Sequence, residues 1–384
     1  MNIRRVLPRA LAVTAGLALA IGGSVAMAAT DRVPRPSRPV AVVSLGDSYI
    51  SGEAGRWEGN SADATGNRGG TDRAFVDTAQ GPTYDPTLIY GETAANGCHR
   101  SNVAPITRVR WPKLTTINLA CSGASTVHVL RASAGGQGFK GEPPQDDQLA
   151  EVAQQYKVEA IALSIGGNDL GFANIVSTCV VAFLTKGTPC STTLQPGLNE
   201  KLPAVQAAIV ATVNDVRATM TEAGYDPRTY RLVLNSYPIG VPAAADVRYP
   251  EAGSARTAQG GCPLYDVDIQ AGHDSITGAI NGVVRAAAAA TGAQFLDLSD
   301  AFRGHELCST AASQPTGEAD ERTSEWMRWI DLAGQGDLSE SFHPNAFGQK
   351  AIGRCMALAF LIRRDVACHG RPNHSANAVF VTLT

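Results

Sequence analysis

Five short apolar runs, each stopped by a residue that favours a turn, constrain this chain more than any other feature. They cover residues 40–45, 115–120, 160–165, 231–235 and 294–298. Each is brief and rich in apolar or β-branched residues, and Gly, Ser, Asn or Asp stops it, which is the pattern of a buried strand. Helical segments lie between and after them. Val205, Ile209, Val213, Val216 and Met220 recur at helical spacing. Phe347, Ala351, Cys355, Leu358 and Ile362 do the same, and Pro344 suits the first turn of that helix. Strands alternating with helices predict an α/β domain with a mostly parallel sheet covered on both faces. In such sheets the loops leaving the C-terminal strand edge build the active site.

The first residues read as a targeting device. Arg4, Arg5 and Arg9 precede an apolar, Gly-rich stretch over 11–25, and Ala26-Met27-Ala28 offers small residues for cleavage. A retained membrane anchor is the weaker alternative, because the apolar core is short. The expected organisation is a signal peptide over 1–28, an extended linker over 29–39, one domain over 40–368 and a tail over 369–384. Loss of three arginines takes the formal charge from −3 to −6, leaving no basic stripe to neutralise phosphates. The expected mature protein is extracellular and monomeric, does not span a membrane and binds no nucleic acid.

Eight cysteines behind such a leader predict disulfides. Zinc is the competing use, but no pair has C-x-x-C spacing, and His305-Glu306-Leu307-Cys308 lacks the second histidine of a zinc-protease helix. About a hundred connectivities are possible. The simplest joins neighbours: Cys98 to Cys121, Cys179 to Cys190, Cys262 to Cys308 and Cys355 to Cys368. Two polar stretches break the strand–helix rhythm, at about 52–110 and 303–341, and loops this long are usually functional or disordered. Trp57, Phe75 and Tyr84 in the first of them either cover a substrate or pack on the domain.

Four places carry chemistry. Ser48, in Gly46-Asp47-Ser48, follows the first strand and sits where a hydroxyl can be presented over the sheet edge, although a serine in such a turn commonly just caps a helix. Gly123 follows the second strand and lets a backbone N–H approach a ligand. Asn168, in Gly166-Gly167-Asn168-Asp169, follows the third, and its amide can stabilise an oxyanion. His343, in His-Pro-Asn, ends a long loop directly before a helix, leaving its imidazole free to act as a base near neutral pH. Each is an ordinary turn residue when read alone. In order, they supply nucleophile, two oxyanion donors and base.

With these four blocks in this order, the sequence resembles the SGNH, or GDSL-type, hydrolases, most closely the secreted actinobacterial esterases and lipases. The match runs over about residues 40–364. The resemblance implies a three-layer α/β/α sandwich with a flavodoxin-like, five-stranded parallel sheet. It also implies acyl transfer through Ser48, with His343 as base, Gly123 and Asn168 in the oxyanion hole, and no cofactor or metal. The substrate it implies is an ester: a lipid, a small acyl ester or an acetylated saccharide. Many relatives carry Asp three residues before the histidine, where this chain has Glu340. Either the Glu340 side chain or a carbonyl of Glu340 or Ser341 then orients the imidazole. Two other function classes use the same fold: a carbohydrate-binding module without turnover, and an acyltransferase using the same serine. No Walker loop and no dinucleotide-binding G-x-G-x-x-G after a strand is present, which argues against a nucleotide cofactor.

Overall fold

The computed structural model of the chain describes residues 38–61, 71–332 and 336–384. The expected signal peptide and all but the end of the expected linker lie outside them. Among the described residues nine strands form: β1 (Val40–Gly46), β2 (Phe75–Thr78), β3 (Gly81–Tyr84), β4 (Leu114–Asn118), β5 (Lys157–Ser164), β6 (Arg231–Asn235), β7 (Gln294–Asp300), β8 (Val366–His369) and β9 (Phe380–Leu383). Seven make one sheet in the order β4-β1-β5-β6-β7-β8-β9. Pairing is parallel from β4 to β8. The first five in that row run 2-1-3-4-5 by chain position, which is the flavodoxin-like order. β1, paired on both sides, buries six of its seven residues, whereas the edge strand β4 is half-buried throughout.

The sheet is larger than the five strands expected. Residues 369–384, anticipated as a tail, instead turn back so that β9 pairs antiparallel with β8. Both strands are only four residues long, so neither presents a readable alternation. Their order comes from pairing and from His369, whose ring bridges Asp300 (2.7 Å) and Thr382 (2.9 Å).

Six helices matter here: α1 (Ser48–Ser51), α2 (Gln145–Gln155), α3 (Phe172–Leu184), α4 (Ser191–Glu222), α5 (Thr277–Thr291) and α6 (Ala346–Ile362). The crossovers α2, α4 and α5 pack together, and α6 packs against β6, β7 and β9. α6 also packs against the turn at Pro105–Arg108 in the β1–β4 connection, which runs along the sheet opposite to the crossovers carrying α2, α4 and α5, so right-handed connections put that turn and α6 on the other face. The expected apolar stripe of α4 is buried from Val205 to Met220. In α6 the stripe is buried at Phe347, Ala351 and Cys355, whereas Ile362 at its end is exposed. Pro344 is not in the first turn of α6. Asn345 caps that helix, accepting from the N–H groups of Phe347 and Gly348, so the proline precedes the cap.

The four cysteine pairs join sequence neighbours, closing loops with separations from 11 to 46 residues. Beside the Cys179–Cys190 pair, Asp268 accepts from the N–H groups of Cys190 (3.1 Å) and Ser191 (2.9 Å), and so caps α4.

Candidate active site

Gly46 ends β1 at φ +130°, and a Cβ there would lie 1.9 Å from the Ser164 carbonyl oxygen, so only glycine fits. The Gln145 side chain clamps this turn, accepting from the Gly46 N–H (2.6 Å) and donating to its carbonyl (2.8 Å). Asp47 then caps α1 through the Tyr49 N–H (3.0 Å). The cap is therefore Asp47, which leaves Ser48 at the first helical position with its hydroxyl uncommitted to the helix. That hydroxyl lies 2.7 Å from Nε2 of His343.

The other imidazole nitrogen, Nδ1, is 3.0 Å from the Ser341 carbonyl oxygen. Phe342, between them, takes φ +57°, which turns the chain back on itself. Tyr49 holds this turn by donating its hydroxyl to the Phe342 carbonyl (3.0 Å). With Nδ1–H on a carbonyl, Nε2 is free to accept the serine proton. Burial lowers the His343 pKa below the ordinary histidine value, so the ring is neutral at pH 7.

The Glu340 carboxylate does not touch the histidine. It is buried and accepts from Tyr90 Oη (2.8 Å) and Trp57 Nε1 (2.8 Å). With the Asp337 N–H (3.2 Å) these make three donors on the carboxylate, and the imidazole Nδ1 meets the Ser341 carbonyl instead, the other alternative. Trp57 is fully buried, with the Arg328 guanidinium 3.6 Å over its ring, and Phe75 pairs with Tyr84 at 5.5 Å. None of the three aromatics of the first long loop lines the cavity at Ser48.

Gly123 (φ +85°) and Asn168 meet at the same cavity as Ser48 and His343. The Gly123 N–H donates to no protein acceptor among the described residues. The Asn168 amide gives one hydrogen to the Ala124 carbonyl (2.8 Å), which aims the other. Its neighbour Asp169 accepts from the Thr126 N–H (3.1 Å) and hydroxyl (2.5 Å), lacing the second and third blocks together. Tyr237, past the end of β6, ties the third block to the first. It donates to Asp47 (2.5 Å) and accepts from the Gly167 N–H (3.0 Å).

Sequence reasoning missed Tyr237 and Gln145. A search of every strand end would have reached Tyr237, two residues past β6, but no local signal marks Gln145. The cavity itself is about 640 Å³ and mostly apolar. Phe172, Val176 and Val180 of α3 line it together with Ile276, Ile280 and Ile330.

No family model matches the chain. It is 26% identical to Lipase 1 of Streptomyces coelicolor over 336 residues, covering 87% of this chain and 91% of that protein. It is also 26% identical to Lipase 2 of the same organism, over 91% of this chain and 95% of that one. Among solved structures, the extracellular lipase from Streptomyces rimosus aligns with 83% of this chain and 98% of its own, at 22% identity and a TM-score of 0.47. The chain thus aligns nearly end to end with the two Streptomyces coelicolor lipases, which supports a carboxylic ester hydrolase, and its four blocks stand in the order of the SGNH-type hydrolases it resembles.

Proposed function

We propose that the protein is a secreted carboxylic ester hydrolase whose nucleophile is Ser48 and whose preferred esters carry medium or long acyl chains. The observation that carries this reading is the 2.7 Å contact between Ser48 Oγ and His343 Nε2, both lining a mostly apolar cavity of about 640 Å³. His343 takes the serine proton as Oγ attacks the ester carbonyl. The N–H groups of Ser48 and Gly123 and the free Asn168 amide hydrogen hold the oxyanion. His343 then returns the proton to the departing alcohol. Water repeats the sequence on the acyl-enzyme, releasing the acid and restoring the serine. The Ser341 carbonyl takes the orienting place in what is otherwise a Ser–His dyad. The leader-like residues 1–28 and the four cysteine pairs support secretion.

The apolar walls supplied by α3 and by Ile276, Ile280 and Ile330 favour an acyl chain over an acetyl group, in keeping with the name of the relatives. Hydrolysis of p-nitrophenyl acetate, octanoate and palmitate by wild type and Ser48→Ala tests the reading. Wild type is expected to prefer octanoate or palmitate by kcat/KM, and Ser48→Ala to lose about 10⁴-fold or more in kcat. Turnover that survives in Ser48→Ala would overturn the nucleophile, and a preference for acetate would overturn the acyl pocket.

A further inference from the structure

Glu53 is a fully buried carboxylate that the steps above leave without a task. Its position is unusual. Its N–H donates to the Ser48 carbonyl (3.2 Å), so it closes the turn that carries the nucleophile. Its own carbonyl accepts from the Gln349 side-chain amide (3.1 Å), and the same amide reaches the carbonyl of Pro344 (3.0 Å), the residue after His343. Its carboxylate lies 2.9 Å from His99 Nδ1, and the carbonyl of Cys98, the residue before His99, accepts from the N–H of Ser122, the residue before Gly123 (3.0 Å). His99 is itself fixed, stacked on Tyr90 at 4.5 Å and adjacent to Cys98, which is bonded to Cys121. One acid thus touches the nucleophile's turn directly, shares the Gln349 amide with the residue after the base, and reaches the oxyanion loop through His99 and Cys98.

The chemistry has a use for it. Each general-base step creates an imidazolium on a half-buried ring, and the Nδ1 partner is a neutral carbonyl. A cation even partly withdrawn from water is costly without a counter-charge. Glu340 is turned to Trp57 and Tyr90, and Asp47 to Tyr49 and Tyr237, so neither carboxylate binds the ring. Resting on the reading of Ser48 as nucleophile, we propose that Glu53 is a positioning residue that supplies the counter-charge for the His343 imidazolium and steadies the Ser122–Gly123 turn.

The electrostatics agree. The Glu53 charge raises the His343 pKa against the larger effect of burial, and the His343 charge lowers that of Glu53. His99, whose own pKa is raised by Glu53, opposes it at His343. The other groups facing the ring are neutral: the Ser48 hydroxyl, the Ser341 and Ser339 carbonyls and the Tyr49 ring.

The test is the pH profile of kcat/KM, read beside the rate of fluorophosphonate labelling, for Glu53→Gln and His99→Gln. Glu53→Gln is expected to lower kcat about tenfold with little change in KM, and to move the acid limb to lower pH. His99→Gln removes the opposing positive charge and is expected to move that limb to higher pH. A merely structural Glu53 would leave the limb in place whatever happened to kcat, and that result overturns the proposal. If Glu53→Gln does not fold, His99→Gln decides: an upward limb supports the proposal, and a stationary or downward one overturns it. Wild type that takes no label at Ser48 would overturn the nucleophile and Glu53 together. Labelling with unmoved limbs overturns Glu53 alone.

Discussion

Both carboxylate oxygens of Asp47 are occupied inside the protein, one by the Tyr49 N–H and the other by the Tyr237 hydroxyl. Burial nonetheless outweighs these bonds and raises its pKa from 3.8 to about 7. Between those two values the folded protein holds a proton that the unfolded chain has released. Stability from this group therefore falls as pH rises through that window and levels off above it. Asp47→Asn removes the dependence, so its Tm is expected to drop less between pH 5 and pH 8 than that of wild type. Equal slopes would show that Asp47 is ionised in the fold. Glu340 makes a second residue-scale prediction. Glu340→Gln is expected to keep kcat within about threefold of wild type while lowering Tm, because the amide cannot accept from both Trp57 and Tyr90. A several-hundred-fold loss of kcat at unchanged Tm would return Glu340 to the histidine. The meeting of Ser48 and His343 was legible because each stands in a short motif at a strand end or loop–helix junction, whereas the direction of the Glu340 side chain depends on Trp57, 283 positions away.

Among the elements, the turn after β1, the Ser122–Gly123 turn and the Gly166–Asn168 turn behave as one unit. Asp169 and Tyr237 link them, Gln145 clamps the first turn at Gly46, and the Cys98–Cys121 bridge anchors the long first loop two residues before Gly123. Reduction of that bridge releases the loop bearing His99 and loosens Gly123 without opening the central strands. Mild reduction is expected to lower kcat before near-ultraviolet circular dichroism reports unfolding. Full activity in reductant, with loss of the bridge verified by mass, would contradict this. The strands were legible because each pairs a short apolar run with a turn residue. The capping of α6 by Asn345 rather than an entry at Pro344 was not, since proline and asparagine both suit a helix start and only the backbone geometry separates them.

Over the whole molecule, the parallel strand order brings the ends of β1, β4, β5 and β6 to one edge, and α3 lays an apolar wall beside them. The order 2-1-3-4-5 agrees with the family resemblance, but the apolar cavity was invisible in sequence because its lining comes from α3, from Ile276 and Ile280, and from Ile330, segments that meet only in the fold. The edge strand β9 was hidden for the same reason. Filling the wall tests the cavity: Val180→Trp is expected to lower kcat/KM for palmitate by about tenfold or more and to spare acetate. Equal losses on both esters would place the acyl chain elsewhere. The central claim is tested most directly by treating the protein with a fluorophosphonate and mapping the adduct by peptide mass spectrometry. The adduct is expected on Ser48, to be absent in Ser48→Ala, and to form far more slowly in His343→Ala. An adduct on another residue, or unchanged labelling without His343, would contradict the account.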